Sequence, residues 1–107
     1  MVTVIFRSRL KDPEDADYAA MAPRMLERVR TIPGFVAFQA FESADGERLA
    51  LGHFESLDAV DAWRRNPEHQ QAQRLGREQF YAEYSLEVCE VVRSYGFDGE
   101  QRTVRDP

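Results

Sequence analysis

Residues 56–69 read Ser56-Leu57-Asp58-Ala59-Val60-Asp61-Ala62-Trp63-Arg64-Arg65-Asn66-Pro67-Glu68-His69. Ser56 stands where a helix N-cap belongs, and Asp58 suits the positive first turn that follows. Leu57, Val60 and Trp63 recur at helical spacing, with Ala59 one turn before Trp63 on the same side. Asn66-Pro67 then stops that helix and starts another, because asparagine caps well and proline is at home in a first helical turn. His69 falls in the first turn of the new helix. The continuation to Phe80-Tyr81-Ala82-Glu83-Tyr84 is rich in Gln and Arg, so a helix running to about Phe80 is expected. The only tryptophan of the chain and one of its two histidines thus lie on two consecutive short helices.

Strand-like segments lie on both sides. Val2-Thr3-Val4-Ile5-Phe6 is β-branched and aromatic and reads as a first strand. Asp12-Pro13 is expected to cap a helix running to about Thr31, with Tyr18, Ala22, Met25, Leu26 and Val29 on one face. Pro23 inside it removes one hydrogen bond and is expected to kink or split it. After Ile32-Pro33-Gly34, Phe35–Phe41 reads as a second strand and Arg48–Glu55 as a third. Asp45-Gly46 between them supplies the positive-φ positions that a hairpin prefers. Tyr84–Tyr95 reads as the fourth strand. Gly96–Pro107 is polar and has the composition of a loose tail, expected to lie against something, a second subunit among the candidates. The order strand, helix, strand, strand, helix, strand is the α+β, ferredoxin-like split βαβ arrangement with a four-stranded antiparallel sheet. The expected organisation is a domain over 1–95 and a tail over 96–107.

The strands are apolar on both faces. Phe35, Ala37 and Phe41 are expected to oppose Val36, Phe38 and Ala40. Leu49 and Leu51 should oppose Ala50 and Phe54, and Leu86, Val88 and Val92 should oppose Cys89 and Val91. Two helices cover only one face of a sheet. Each large apolar side chain left in water forgoes about 1.5–3 kcal/mol. A second copy packed sheet to sheet is the economical cover, so a homodimer is expected. A ligand cavity on one apolar face is the competing account.

The chain has 107 residues, a net charge of −5 and one cysteine, Cys89. One domain of this size gains from a partner, since it buries less of its surface than a larger protein does. The acidic balance points away from nucleic acid and anionic membrane. A single cysteine excludes an internal disulfide and a cysteine-cluster metal site, and in its apolar run Cys89 reads as an inert thiol. Without a leader-like or membrane-spanning stretch, the cytoplasm is the expected location.

His53 is read onto the Leu49–Leu51 face of the third strand, where a histidine is more often a packed residue than a ligand. Neither histidine has metal-ligand spacing with the other, so no metal is expected. His69, at a positive helix end, should be neutral and able to take a proton. Trp63 could wall a pocket or be plain core. Tyr81 and Tyr84 could bring a hydroxyl to its rim or simply pack.

Taken together, Ile32-Pro33-Gly34-Phe35, Phe54-Glu55-Ser56, Trp63, Pro67-Glu68-His69 and Tyr84 resemble the antibiotic biosynthesis monooxygenase family of dimeric α+β barrels, over roughly Val2–Tyr95. The resemblance implies a homodimer whose sheets form a barrel. It also implies a pocket between sheet and helices, and oxidation of phenols, anthrones or quinols by molecular oxygen with no metal or flavin. His69 would be the catalytic base, and Trp63, His53 and Tyr84 would bind a small apolar or aromatic substrate. The polyketide oxygenases have Asn, then Trp four residues on, then Tyr six further. Trp63 matches, Ala59 stands at the Asn position and His69 at the Tyr position. Haem-degrading relatives use an Asn on the first strand and a His beyond the Trp. Val2–Leu10 has no Asn, and Gln73 stands at that His position. A cofactor-independent monooxygenase leads these readings. A non-catalytic small-ligand-binding or scaffold protein of the same fold is its rival, and a haem binder the third.

Overall fold

The computed structural model describes residues 1–105. Nine residues of alternating β-branched, aromatic and polar character form β1 (Val2–Leu10), followed by α1 (Ala16–Val29). Next come β2 (Phe35–Glu42), β3 (Arg48–Phe54), α2 (Leu57–Arg65) and α3 (Pro67–Leu75). A π-helical turn over Gly76–Phe80 leads into β4 (Tyr81–Glu90), and β5 (Ser94–Phe97) and β6 (Arg102–Arg105) follow. The main sheet has the order β2-β3-β1-β4, all neighbours antiparallel. This is the ferredoxin-like α+β arrangement expected from the element order.

α1 begins three residues later than expected. Asp15, not Asp12, is its N-cap, and its carboxylate accepts from the backbone N–H of Asp17 and Tyr18. Asp12 instead closes the preceding turn by accepting from the Glu14 N–H at 2.9 Å. Both aspartates can accept from backbone, and only the second is followed by an uninterrupted helical run. Pro23 does not split the helix, which continues through it to Val29. The β2–β3 turn needs one left-handed residue rather than two: Gly46 has φ +91° and Asp45 does not have positive φ. Gly46 N–H reaches Ser43 O at 3.0 Å and Ser43 N–H reaches Glu47 O at 2.8 Å, the pattern of a three-residue hairpin loop with a glycine bulge.

Cross-strand register assigns the two faces. The helix side carries Val2, Val4, Phe6 and Ser8 of β1, opposite Phe54, Gly52, Ala50 and Arg48 of β3. Val29, Phe54 and Ala59 are its buried centre, with Val4, Leu26, Phe35, Val60 and Trp63 packed around them. The far side carries Thr3, Ile5 and Arg7 opposite His53, Leu51 and Leu49. A bulge between Phe35 and Ala37 changes the β2 alternation. Phe35, paired with Phe54, lies on the helix side with Phe38, while Ala37 and Phe41 face away. Strict alternation misassigns Phe35, because one inserted residue flips the face. Leu57, expected inside α2, is 47 % exposed, and the inner positions are Ala59, Val60 and Trp63.

β4 ends at Glu90, so Val91 and Val92 lie beyond it. Its helix-side residues Tyr84, Leu86 and Val88 stay well exposed, which means the helical layer leaves the strand open beyond Tyr81. The segment expected to be a loose tail is a second antiparallel ribbon, β5 paired with β6 from Ser94↔Arg105 to Phe97↔Arg102. No described helix is long and apolar enough to cross a membrane.

Candidate active site

Asn66 builds the site. Its backbone is extended (φ −61°, ψ 125°), which breaks the chain between α2 and α3. Its side-chain oxygen accepts from the N–H of Glu68 at 3.0 Å and of His69 at 3.1 Å. This cap turns α3 back so that the ring of His69, in the first turn of α3, meets Trp63 near the end of α2. The imidazole stacks on the indole, centroids 4.1 Å apart and planes 16° from parallel. Nδ1 of His69 lies 3.2 Å from the carbonyl oxygen of Trp63. A carbonyl only accepts, so Nδ1 carries the proton and Nε2 keeps its lone pair. Burial lowers the pKa of His69, and the Trp63 carbonyl opposes that shift. The ring is therefore neutral at neutral pH, with its basic nitrogen turned away from the carbonyl.

Glu68 anchors this corner to the rest of the helical layer. Its carboxylate accepts from Arg24 Nε at 2.9 Å and Arg28 Nε at 3.1 Å, both on α1. The two guanidinium groups hold the Glu68 carboxyl below its ordinary pKa, Arg24 contributing most.

The sheet separates the other histidine from this pair. His53 sits on the far side, its Nδ1 3.1 Å from Thr3 Oγ1 on the paired strand. Tyr84 is on the helix side but away from Trp63. It belongs to a cluster in which Phe6, Tyr81 and Tyr84 meet at centroid distances of 5.4–5.8 Å. Tyr18 and Phe80 extend this cluster, and Arg48 holds its guanidinium 5.5 Å from the Tyr18 ring centre. Burial, then Tyr18, pushes the Tyr81 phenol pKa well up, so its hydroxyl stays protonated. Tyr18 was expected on the inner face of α1, but its meeting with Tyr81 and Arg48 was not legible, because a β-bulge around Ala82 is needed to bring both Tyr81 and Tyr84 to the helix side. Cys89 is a half-buried free thiol on the far side.

Two open hollows lie elsewhere, and neither is lined by Trp63, His53, His69 or Tyr84. One, between α1 and α3, is lined by Met21, Met25, Ala72 and Leu75; the other lies beside Gly34 and Ala62. Among the described residues, no group of three or more His, Cys, Asp or Glu side chains converges to hold a metal ion. What the arrangement offers is one neutral imidazole base on an aromatic wall.

The family model described as antibiotic biosynthesis monooxygenase matches residues 1–75. The uncharacterized protein YqjZ of Bacillus subtilis (strain 168) is 36 % identical over 90 residues, 84 % of this chain and 78 % of that protein. The fold is also that of Rv0793 from Mycobacterium tuberculosis, with a TM-score of 0.72 and 22 % identity over 94 % of this chain and 98 % of that one. SnoaB of Streptomyces nogalater, described as a cofactor-independent oxygenase, superposes with a TM-score of 0.72 and 15 % identity, covering 84 % of this chain and 91 % of its own.

Proposed function

The chain belongs to the antibiotic biosynthesis monooxygenase family, and from that premise we propose that it is a cofactor-independent monooxygenase of small aromatic, quinol-like substrates, working as a cytoplasmic homodimer. The observation that carries this reading is the state of His69: stacked on Trp63, neutral, and with Nε2 free to accept a proton. The base removes a proton from an acidic substrate carbon, and the resulting carbanion reduces oxygen. A ring CH2 becomes a carbonyl, one oxygen atom enters the product, and the other leaves as water. Trp63 holds that base in place, its indole stacked on the imidazole and its carbonyl accepting from Nδ1–H.

The base strength sets the substrate class. An ordinary phenol has a pKa near 10 and an unperturbed histidine one near 6.5, a mismatch of about 3.5 units or ~5 kcal/mol. Lowering the His69 pKa widens that gap. The substrate must therefore be more acidic than a simple phenol, as when its anion is delocalised over a fused ring and a carbonyl. His53, across the sheet, is proposed as a residue of the dimer contact rather than of the substrate site, and Tyr84 as part of the pocket rim.

A second reading has its own observation. Ala59, at the position where the polyketide oxygenases resemble one another in having Asn, is 4 % exposed and packed in the core. No amide donor is present there to hold a developing oxyanion, which favours a protein that binds such molecules without oxidising them. Oxygen uptake with a panel of anthrones and carbonyl-conjugated, acidic quinols separates the two. The oxygenase reading expects uptake above the uncatalysed rate that falls by about 10²–10⁴-fold in His69→Phe, the range of a general base. Ligand-raised melting temperature with no uptake would establish the binder instead.

A further inference from the structure

We infer that β5–β6 is an exchanged arm, which lays its apolar face on the uncovered helix-side stripe of β4 in a second copy of this chain. Three observations meet here. First, the ribbon is one-sided. Tyr95, paired with Val104, and Phe97, paired with Arg102, share a face on which the Arg102 guanidinium lies 5.5 Å from the Tyr95 ring centre, while Gly96 and Thr103 occupy the other. Phe97 is 74 % exposed, and Tyr95 and Val104 are also open to solvent. An isolated two-stranded ribbon is marginal in water, so one built with an apolar face needs a surface to lie on.

Second, β4 offers a matching surface. Tyr84, Leu86 and Val88 form an exposed apolar row on an edge strand that α1 meets at Tyr81 and that lies open from Tyr84 onward. This row runs beside Phe6 and Val4, which form the floor under the helical layer. The arm would therefore close one side of the space between sheet and helices, leaving that space incomplete in a single chain.

Third, the areas fit. A compact 12.4 kDa monomer is expected to expose about 6,100 Å², against the 7664 Å² found here. The excess of about 1,500 Å² exceeds the roughly 800 Å² that each partner buries in a standard interface. The radius of gyration, 15.2 Å, likewise exceeds the about 13 Å expected for a compact chain of this length. Only Val91, Val92 and Arg93 separate β4 from β5. Within one chain the β4 row and the ribbon's Tyr95, Phe97 and Val104 all stay exposed, so the ribbon does not cover its own row, and a two-fold partner lets both arms be covered at once.

The inference rests on the homodimer proposed above but not on the oxygenase reading, and its test reads no activity. In full-length chains carrying Cys89→Ser, Leu86→Cys is placed on one tagged copy and Phe97→Cys on a copy with a different tag. The two are co-expressed and treated with a short bis-maleimide. A cross-linked heterodimer is expected, together with a dimer by light scattering. Tyr95→Ser with Phe97→Ser should raise the dimer dissociation constant about tenfold or more while the far-ultraviolet dichroism of the main domain persists. A cross-link formed solely within a chain that carries both cysteines would overturn the exchange. So would a dimer without the heterodimer cross-link, a monomer at every concentration tried, or a serine variant that associates as tightly as the parent.

Discussion

The imidazole of His69 lies flat on the indole of Trp63 and is tied to the same residue's carbonyl oxygen through Nδ1. One tryptophan therefore reports on one titratable group. An imidazolium in contact with an indole quenches its emission, whereas the neutral ring does so far less. Trp63 fluorescence should fall on acidification with a midpoint below 6.5, because burial disfavours the charged ring. His69→Gln should abolish that step. A midpoint at 6.5 would mean that the ring is solvated, and one above 6.5 that it faces a carboxylate.

The same shift has a consequence for stability. Below pH 6.5 the folded chain binds fewer protons at His69 than the unfolded chain does. This stabilisation is complete above pH 6.5 and declines as pH falls toward the lower folded-state pKa. Urea midpoints measured between neutral and mildly acidic pH should therefore drop more in the parent chain than in His69→Gln.

The caps of α2 and α3 were legible in the sequence and that of α1 was not, while strand faces were legible in β3 but not across the bulges of β2 and β4. Ser56 and Asn66 could be read because capping is local: one side-chain oxygen meets N–H groups two or three residues on. The bulges at Phe35/Ala37 and around Ala82 had no such signal, yet they decide which way Phe35, Tyr81 and Tyr84 point. His69 was identified as a candidate base from its place in a first turn. Its stacking on Trp63 needed the angle between α2 and α3. His53 was correctly read onto the Leu49–Leu51 face, and the three-dimensional fold adds that this is the face away from Trp63. The β5–β6 ribbon was hidden because polar residues and two glycines mask a face made by Tyr95, Phe97 and Val104.

Asn66 is predicted to matter for both structure and site. Its side chain satisfies two otherwise unpaired N–H groups of α3, one of them that of His69. Asn66→Ala should cost about 1 kcal/mol, whereas Asn66→Asp, an equally good cap, should cost little. Losing the cap should also loosen the ring stack, so the acid quenching step of Trp63 should shrink in Asn66→Ala and persist in Asn66→Asp. Chemical denaturation and fluorescence titration of the pair check both statements.

Glu68 gives a second pH dependence of stability, in the same direction as that of His69 but through a charged carboxylate. Its carboxyl pKa is lowered by Arg24 and Arg28, so the folded chain holds the charged form more strongly than the unfolded chain. This contribution is present above the ordinary carboxylate range and is lost as pH falls through the folded-state value. The carboxylate is partly open to water, so solvent screening keeps the effect small. Glu68→Gln should flatten the acid limb of the stability curve without changing its neutral plateau by much. An acid limb identical to that of the parent would show that the α1–α3 pairing contributes nothing in solution.

Gly34 is predicted to be the least replaceable residue at the join between α1 and β2. It has φ +90°, a region that costs a side chain strain, and a β-carbon placed there would lie 2.8 Å from the Cβ of Ala59. Ala59 is itself buried in the core beside Val29 and Phe54, so it has little room to move aside. The Gly34 carbonyl also accepts from the Glu55 N–H at 2.7 Å, which fixes the backbone on that side. Backbone strain and overpacking, each about 1–3 kcal/mol, therefore add, and Gly34→Ala should lose about 2 kcal/mol or more. For a domain of this size that lowers Tm by roughly 8 °C or more. Gly46→Ala is the control, because its φ is similarly positive, +91°, and nothing lies within 4 Å of the added carbon. If the close approach to Ala59 contributes as argued, thermal unfolding will show a larger loss at 34 than at 46. Equal losses would leave the dihedral alone responsible.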